Sequence, residues 1–398
     1  MTPTLPIRVL VAGSGVAGLE ALLGLRDLAG DRVALTLVTP ETQFVHREMA
    51  VAETFAHGHA RPLALEKLTG DLGVELIQAR LERVDDGRRV AYTDATEPLP
   101  YDALLVAVGA TSEPAYPGAI TWTPETDPEV FGGLRRDLEE GYSSGVAFVV
   151  PPGIAWPLPA YELALMTAWA LDGMDRDDIE VTLVTPESAP LEVFGVAGSA
   201  AVRADLDDAG IAVETDAYLE DQGERFVMQP GRRLLAARRV VALPRTVARA
   251  MPGLATDRRG FIRVDRHCQV VGSERVWAAG DAIAFPLKQG GLAAQQADAA
   301  AQSIAALAGA DVEPQPFHPV LRGVLLTGRG REWLRHDIGG GSGEARSAHR
   351  ALWWPPTKVA GRYLSPYLEA VDVGAAGLGE RPTGEPVELD LRSHLPVA

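Results

Sequence analysis

The feature that most constrains this chain is an apolar run, IRVLVAG (7–13), that leads straight into GSGVAGLEALLGLRDL. A run without alternation is the pattern of a central parallel strand covered on both faces. Gly13, Gly15 and Gly18 then spell GxGxxG at the entrance to a helix. The first glycine permits a tight turn, the second lets a pyrophosphate approach the backbone, and the third lets helix and strand pack closely. Val16 and Ala17 fall at the helix start, where unpaired N–H groups and the positive end of the dipole attract phosphate. VALTLVTPE (33–41) reads as the next strand, and Glu41 at its end is placed to accept hydrogen bonds from an adenosine ribose. Strand, glycine-rich turn, helix and strand in this order predict a dinucleotide-binding βαβ unit.

The same order recurs later. YDALLVAVGATSEP (101–114) is another buried strand, closed by Gly109 and a proline-ended linker. SGVAFVVPPG (144–153), a helix from about Ala160, and IEVTLVTPES (179–188) then repeat strand, loop, helix and strand. The endings LTLVTPE and VTLVTPE are an internal echo that points to two related units, with RRVVALP (238–244) as the last strand of the second.

A further signal is RVWAAGDAIAFPLKQGGLAAQQADAAAQSIAALAG (275–309). A small-residue strand end followed by Gly280-Asp281 lets a carboxylate reach a ribityl hydroxyl or a pyrophosphate-bound water. The helix that begins in QGGLAAQQA offers N–H groups able to stabilise negative charge on a reduced flavin. Alone, this stretch reads equally well as an N-capping Asp before an alanine-rich core helix. Its pairing with the first motif favours the cofactor reading. The tail holds a hairpin around LRGVLLTGRGREWLRHD, a Gly/Ser loop at 339–343, LWWPPTKVAGRYLSPYLEA and a Gly/Pro-rich end.

Composition removes several function classes. A formal charge of −17 opposes binding to nucleic acid or an anionic membrane, and otherwise serves solubility. Cys268 is the single cysteine, so one chain holds no disulfide, CxxC pair or cysteine-rich metal site. Its setting, VDRHCQV, reads as a strand end carrying a structural thiol. The eight histidines lack HxH or HExxH spacing, and no metal site is expected. No apolar run reaches ~18 residues and the first residues lack a signal-peptide pattern, so a cytoplasmic protein without a transmembrane segment is expected.

With YDALLVAVGA between them, the two glycine-bearing signals resemble the two-dinucleotide-binding-domain flavoproteins of the pyridine nucleotide–disulfide oxidoreductase superfamily. Within it the chain looks most like the branch of sulfide:quinone oxidoreductases, flavocytochrome c sulfide dehydrogenases and type II NADH dehydrogenases. The likeness runs over roughly 7–310, and more weakly through WWPPTKVAGRYL. It implies an α/β fold of two Rossmann-like (FAD/NAD(P)-binding) units, the second inserted in the first, plus a C-terminal extension. Residues 1–112 and 245–320 would form a split FAD-binding domain, 113–244 the second unit, and 321–398 the extension. By the same resemblance Gly13, Gly15, Gly18, Glu41, Gly109, Gly280 and Asp281 hold FAD. Segment 288–295, with Lys288, Gln289 and Leu292, lies at the isoalloxazine, and Arg47 in FVHREMAV matches a position commonly Arg near the flavin. A homodimer is expected on likeness alone.

The departures from that pattern carry as much information. Disulfide reductases and sulfide oxidation in the quinone branch need cysteines beside the flavin, and a lone Cys268 cannot supply them. In PPGIAWPLPAYELA the second unit keeps its helix entry but loses the cradle glycines. Pro151, Pro152, Pro157 and Pro159 remove N–H donors, and Trp156 adds bulk where close backbone approach is usual. Glu187 can still accept a ribose and would repel a 2′-phosphate. The stretch is open to three readings: an inherited scaffold that binds nothing, an altered nicotinamide site, or a site for another ligand. Trp353 and Trp354 either line an apolar acceptor pocket or pack the C-terminal segment, with packing favoured. Lys358 either lies near the flavin or at the surface. The expectation is an FAD-dependent oxidoreductase passing electrons through a non-covalent flavin to a quinone, small-molecule or protein acceptor without a cysteine relay. Two alternatives stand beside it: an NADH:acceptor reductase with an unusual loop, and a non-catalytic flavin-binding sensor or partner subunit. No side chain stands out as an obligatory acid or base.

Overall fold

A computed structural model describes residues 5–46, 49–55, 61–95, 97–126, 128–223, 225–339, 344–371 and 373. Arg47, the Gly/Ser loop beyond 339 and nearly all of the Gly/Pro-rich end lie outside the described residues.

Strand Ile7–Ala12 sits at the centre of a five-stranded sheet in the order 276–278, 103–106, 7–12, 33–39, 75–78. All its pairings are parallel, with Val9 beside both Leu35 and Ala103. Val9, Leu10, Val11 and Ala12 are buried because helices cover one face of the sheet and a second apolar layer covers the other. On the first face helix Val16–Ala29 lies against helix Gly290–Leu307. Ala297, Ala300 and Ala301 are fully buried there, and their small side chains let the two helix backbones approach. Burying each leucine of this layer, such as Leu19 or Leu22, contributes about 1.5–3 kcal/mol.

The second sheet repeats the plan in the order 120–121, 239–242, 145–149, 180–184, 212–214, again all parallel. The chain leaves the first sheet through Ala110–Glu113 and returns through Arg245–Ala248, and these two strands pair as an antiparallel ribbon. The second sheet is thus built within the sequence of the first. The helix that follows its central strand begins at Leu158 rather than near Ala160, because Pro157 and Pro159 are acceptable in a first turn whose N–H groups have no intrahelical partner.

The expected hairpin forms from Val320–Leu326 and Arg331–Asp337, and Ala345–Ala348 adds a third strand. Leu321, Leu325 and Leu334 press it onto the second unit beside Leu158 and Phe194. Gly323 makes this contact feasible, since a Cβ there would lie 2.6 Å from the Phe194 ring. Trp353 is fully buried, edge-on to Trp333 at 4.6 Å, with its indole N–H donated to the Thr357 carbonyl. That is packing. The chain then runs back to the first unit, where helix Leu364–Ala370 buries Leu364, Tyr367 and Leu368.

One local reading is corrected. Cys268 does not end a strand but occupies a tight turn at φ +59, because the Asp265 carboxylate accepts the N–H groups of His267 and Gln269 and folds the chain around itself. Burial pushes its thiol up to about 12, so it is inert near neutrality.

Candidate functional site

The first glycine turn sits at the C-terminal ends of strands 7–12 and 103–106, where the sheet order changes direction. Crevices at such switch points are where open α/β sheets bind ligands. Gly13 adopts φ +110, and a Cβ there would lie 2.2 Å from the Ala107 carbonyl oxygen. A Cβ on Gly18 would lie 1.9 Å from the Gly13 carbonyl oxygen, so strand, turn and helix are in backbone contact. Gly15 caps the helix with open space in front of it, the position at which a phosphate meets the backbone. The Ser14 and Thr39 hydroxyls, 2.9 Å apart, tie this turn to the end of the second strand.

These residues border a cavity of about 680 Å³ that Glu41, Arg80, Gly109 and Met251 also line. Glu41 is exposed at the edge of this cavity. Val16 and Ala17 open the helix behind the cradle. Thus Gly13, Gly15, Glu41 and Gly109 line one cavity, with Gly18 packed against the turn behind it, an arrangement able to hold an adenosine with a pyrophosphate.

Gly280 lies across from the cradle at φ +75, and a Cβ there would meet Ala17 at 3.2 Å and Ala293 at 3.6 Å. Its N–H is donated to Gln296 over 2.8 Å. Burial raises the Asp281 carboxyl, opposed by the charge of Lys288. Lys288 lies 4.0 Å over the Phe261 ring and donates to the Ile283 carbonyl, and burial pushes its ammonium down to about 8. Gln289 caps the next helix by accepting the Leu292 N–H at 2.9 Å and donates to the Arg322 carbonyl. The N–H groups of Gly290 and Gly291 stand at that helix start, while the Leu292 side chain faces the apolar core.

The Pro-rich loop of the second unit lies beside this entrance, since the Lys288 N–H is donated to the Ala155 carbonyl over 3.2 Å. Trp156 stands edge-on to Phe194 at 5.9 Å. Leu158, at the helix start that would have to receive a phosphate, is buried in one apolar cluster with Leu191 and Phe194. Glu187, the counterpart of Glu41, is already engaged: its Oε2 accepts from the Tyr161 hydroxyl at 2.6 Å and from Thr185 at 2.8 Å. Burial raises the Glu187 carboxyl, with both hydroxyl donors opposing the rise. Burial and the Glu187 charge together raise the Tyr161 phenol, keeping it a donor.

A buried ion pair went unread in the sequence. Glu162 is 1% exposed and Lys358 10%, and they meet at 2.5 Å. The same carboxylate oxygen accepts the Leu326 N–H at 3.0 Å. Burial raises the Glu162 carboxyl, and the Lys358 ammonium opposes it. Lys358 is therefore neither a surface lysine nor alone. The available signal was a charge inside each of two apolar strings, LPAYELALM and WWPPTKVAG.

Among the described residues no cluster of three or more His, Cys, Asp or Glu side chains could hold a metal, and no helix is long and apolar enough to cross a membrane.

The pyridine nucleotide-disulphide oxidoreductase family model matches residues 7–148 and 158–303. An NADH dehydrogenase-like protein of Mycobacterium tuberculosis is 28% identical over 294 residues, 70% of this chain and 73% of its own. The sulfide-quinone reductase of Aquifex aeolicus is 27% identical over 212 residues, 50% of this chain and 47% of its own. The solved sulfide:quinone oxidoreductase from that bacterium superposes with a TM-score of 0.77 at 18% identity, covering 86% of this chain and 87% of that one. A ferredoxin reductase from Rhodopseudomonas palustris gives 0.61 at 20% identity, covering 84% and 83%. The family match skips 149–157, the stretch in which proline and tryptophan replace the second cradle. The chain belongs to the pyridine nucleotide-disulphide oxidoreductase family, and it is a flavin-dependent oxidoreductase.

Proposed function

We propose that this protein passes electrons through a non-covalent FAD to a quinone-like or other small-molecule acceptor, without a cysteine relay and without NAD(P)H as its donor. The observation that carries the reading is the contrast between the two acidic strand ends. Glu41 stands exposed at the edge of an open cavity beside a glycine cradle, whereas Glu187 is engaged by Tyr161 and Thr185 beside a cradle filled with proline. The boundaries 1–112 with 245–320, 113–244 and 321–398 follow as the functional division.

When bound, FAD supplies two-electron acceptance at its isoalloxazine and return of those electrons to an acceptor. Gly13, Gly15, Val16, Ala17 and Gly18 would hold the pyrophosphate by backbone approach, and Glu41 the ribose. Gly280 and Asp281 would face the linking chain, and the start of helix Gly290–Leu307 would favour negative charge on the ring. Lys288 adds a positive charge whose strength depends on pH near its lowered value. The Lys358 ammonium donates to Glu162 Oε1 in the seam between the second unit and the C-terminal hairpin. A second reading, an NADH:acceptor reductase, draws support from the mycobacterial relative's name and from the retained strand–loop–helix–strand order.

The test is reoxidation. Protein reconstituted with FAD and photoreduced without oxygen is mixed with a short-chain quinone. Recovery of the oxidised flavin spectrum well ahead of a free-flavin control is expected. Recovery no faster than the control would exclude a quinone-like acceptor.

A further inference from the structure

The C-terminal extension holds one turn of the first unit from two sides. That turn is the start of helix Gly290–Leu307, where Gly290 and Gly291 carry N–H groups without an intrahelical acceptor. On one side stands hairpin strand Val320–Leu326. Gln289 donates to the Arg322 carbonyl at 3.2 Å. Gln295 serves Val320 as a strand partner would, accepting its N–H and donating to its carbonyl, both at 2.9 Å. The same amide nitrogen also donates to the Gly291 carbonyl at 2.9 Å.

On the other side stands Val359. A Cβ on Gly290 would lie 2.9 Å from Val359 Cγ2, 3.0 Å from Cγ1 and 3.5 Å from Cβ, so both methyls rest against the bare backbone of Gly290. Branching at Cβ leaves Val359 little freedom at χ1. Its backbone is fixed as well. The Val359 carbonyl accepts the hydroxyls of Thr357 at 2.9 Å and Ser365 at 2.8 Å, and both of those residues are buried. The flanking chain is tied to two further helices. Lys358 donates to Glu162, and the N–H groups of Tyr363 and Leu364 are donated to buried Glu20 at 2.8 and 2.7 Å. A Cβ on Gly361 would lie 2.6 Å from that carboxylate, so the backbone passes close against it.

We propose that Val359 is a positioning residue for the flavin: it fixes the first turn of helix Gly290–Leu307 and thereby raises the flavin midpoint potential. This rests on the reading above that the turn faces the isoalloxazine. Reduction adds negative charge to the ring, and fixed N–H groups at a positive helix end stabilise that charge without reorganising. With Val359 shortened, the turn gains room on one side while Gln289 and Gln295 still hold the other. Its donors then spread over several positions. The reduced ring loses more stabilisation than the oxidised one, and the potential falls.

The test is the midpoint potential of the full FAD-loaded chain, measured by dye equilibration, together with hydrogen exchange at Gly290, Gly291 and Leu292. Val359→Ala is expected to keep its FAD and to weaken binding of the reduced form about tenfold relative to the oxidised form, a fall of about 30 mV for a two-electron couple. Val359→Ile, which keeps both branches at Cβ, should stay at the wild-type potential. Gly290→Ala drives a methyl into Val359 and should also lower the potential. Joining it to V359A should return the potential toward wild type, because the added methyl then meets only the Cβ of residue 359, 3.5 Å away. A V359A potential equal to wild type, or additive falls in the double variant, would overturn the positioning role. FAD loading of the wild type should slow exchange at the three amides. Unchanged exchange would remove the flavin from this turn and sink the reading and the proposal together. Slowed exchange with an unmoved V359A potential would sink the proposal alone.

Discussion

Tyr161 donates its phenolic hydrogen to Glu187 over 2.6 Å, and the same phenol oxygen accepts the Leu191 N–H at 3.2 Å. One side chain thus ties the first turn of a helix to a strand end and to the loop beyond it. In the first unit the corresponding acid, Glu41, is exposed at the edge of a cavity. Tyr161→Phe should leave Glu187 with one hydroxyl partner in a half-buried setting. A loss of about 1–3 kcal/mol in urea unfolding is expected, with FAD content unchanged. Unchanged stability would show that the network holds nothing in place.

Gly18→Ala places a methyl carbon where the Gly13 carbonyl stands, 1.9 Å away, and the backbone of the cradle has to move. The purified variant should be colourless or lose FAD on dialysis, with far-ultraviolet circular dichroism close to wild type. Normal FAD retention would place the cofactor elsewhere.

Glu162 and Lys358 exchange a buried charge for a partner, so breaking the pair should cost more than deleting it. Glu162→Gln alone is expected to destabilise by about 3–5 kcal/mol, because it leaves the ammonium buried. Adding Lys358→Met should recover most of that loss. Additive losses in the double variant would contradict the pairing.

The first unit was legible because its constraints are local. Strand Ile7–Ala12, the glycines at 13, 15 and 18 and the Glu41 strand end lie within about one βαβ unit, and each residue type has a steric or electrostatic reason for its place. The packing role of Trp353 was also favoured from sequence. Long-range pairs were not legible. Glu162 with Lys358, and Glu20 with Leu364, join residues far apart in the chain, and periodicity carries no such information. The turn at Cys268 was missed because Asp265 reorganises four residues through its own side chain, overriding the strand-like composition around it.

Lys288 should impose a pH dependence on the flavin. Its ammonium loses its charge as pH rises through about 8, below the ordinary lysine value, because burial disfavours the charged form. Negative charge on the reduced flavin would raise that value, so reduction draws a proton onto Lys288 only above about 8, and the midpoint potential of the wild type should fall more steeply with pH just above about 8 than below it. Lys288→Gln should remove that break. The stability sign is opposite: between about 8 and the ordinary lysine range only the unfolded chain holds the proton, so this group favours folding more as pH rises. A break that persists in K288Q would assign it to another group.

The central claim is a flavin enzyme whose second dinucleotide unit no longer serves a nicotinamide. Anaerobic stopped-flow mixing of the FAD-loaded protein with NADH or NADPH tests it most directly. The account predicts that the visible flavin absorbance stays oxidised with both, while photoreduction bleaches it fully. Rapid bleaching by either nucleotide would contradict the account and make the stretch from Pro151 to Pro159 an unusual nicotinamide site.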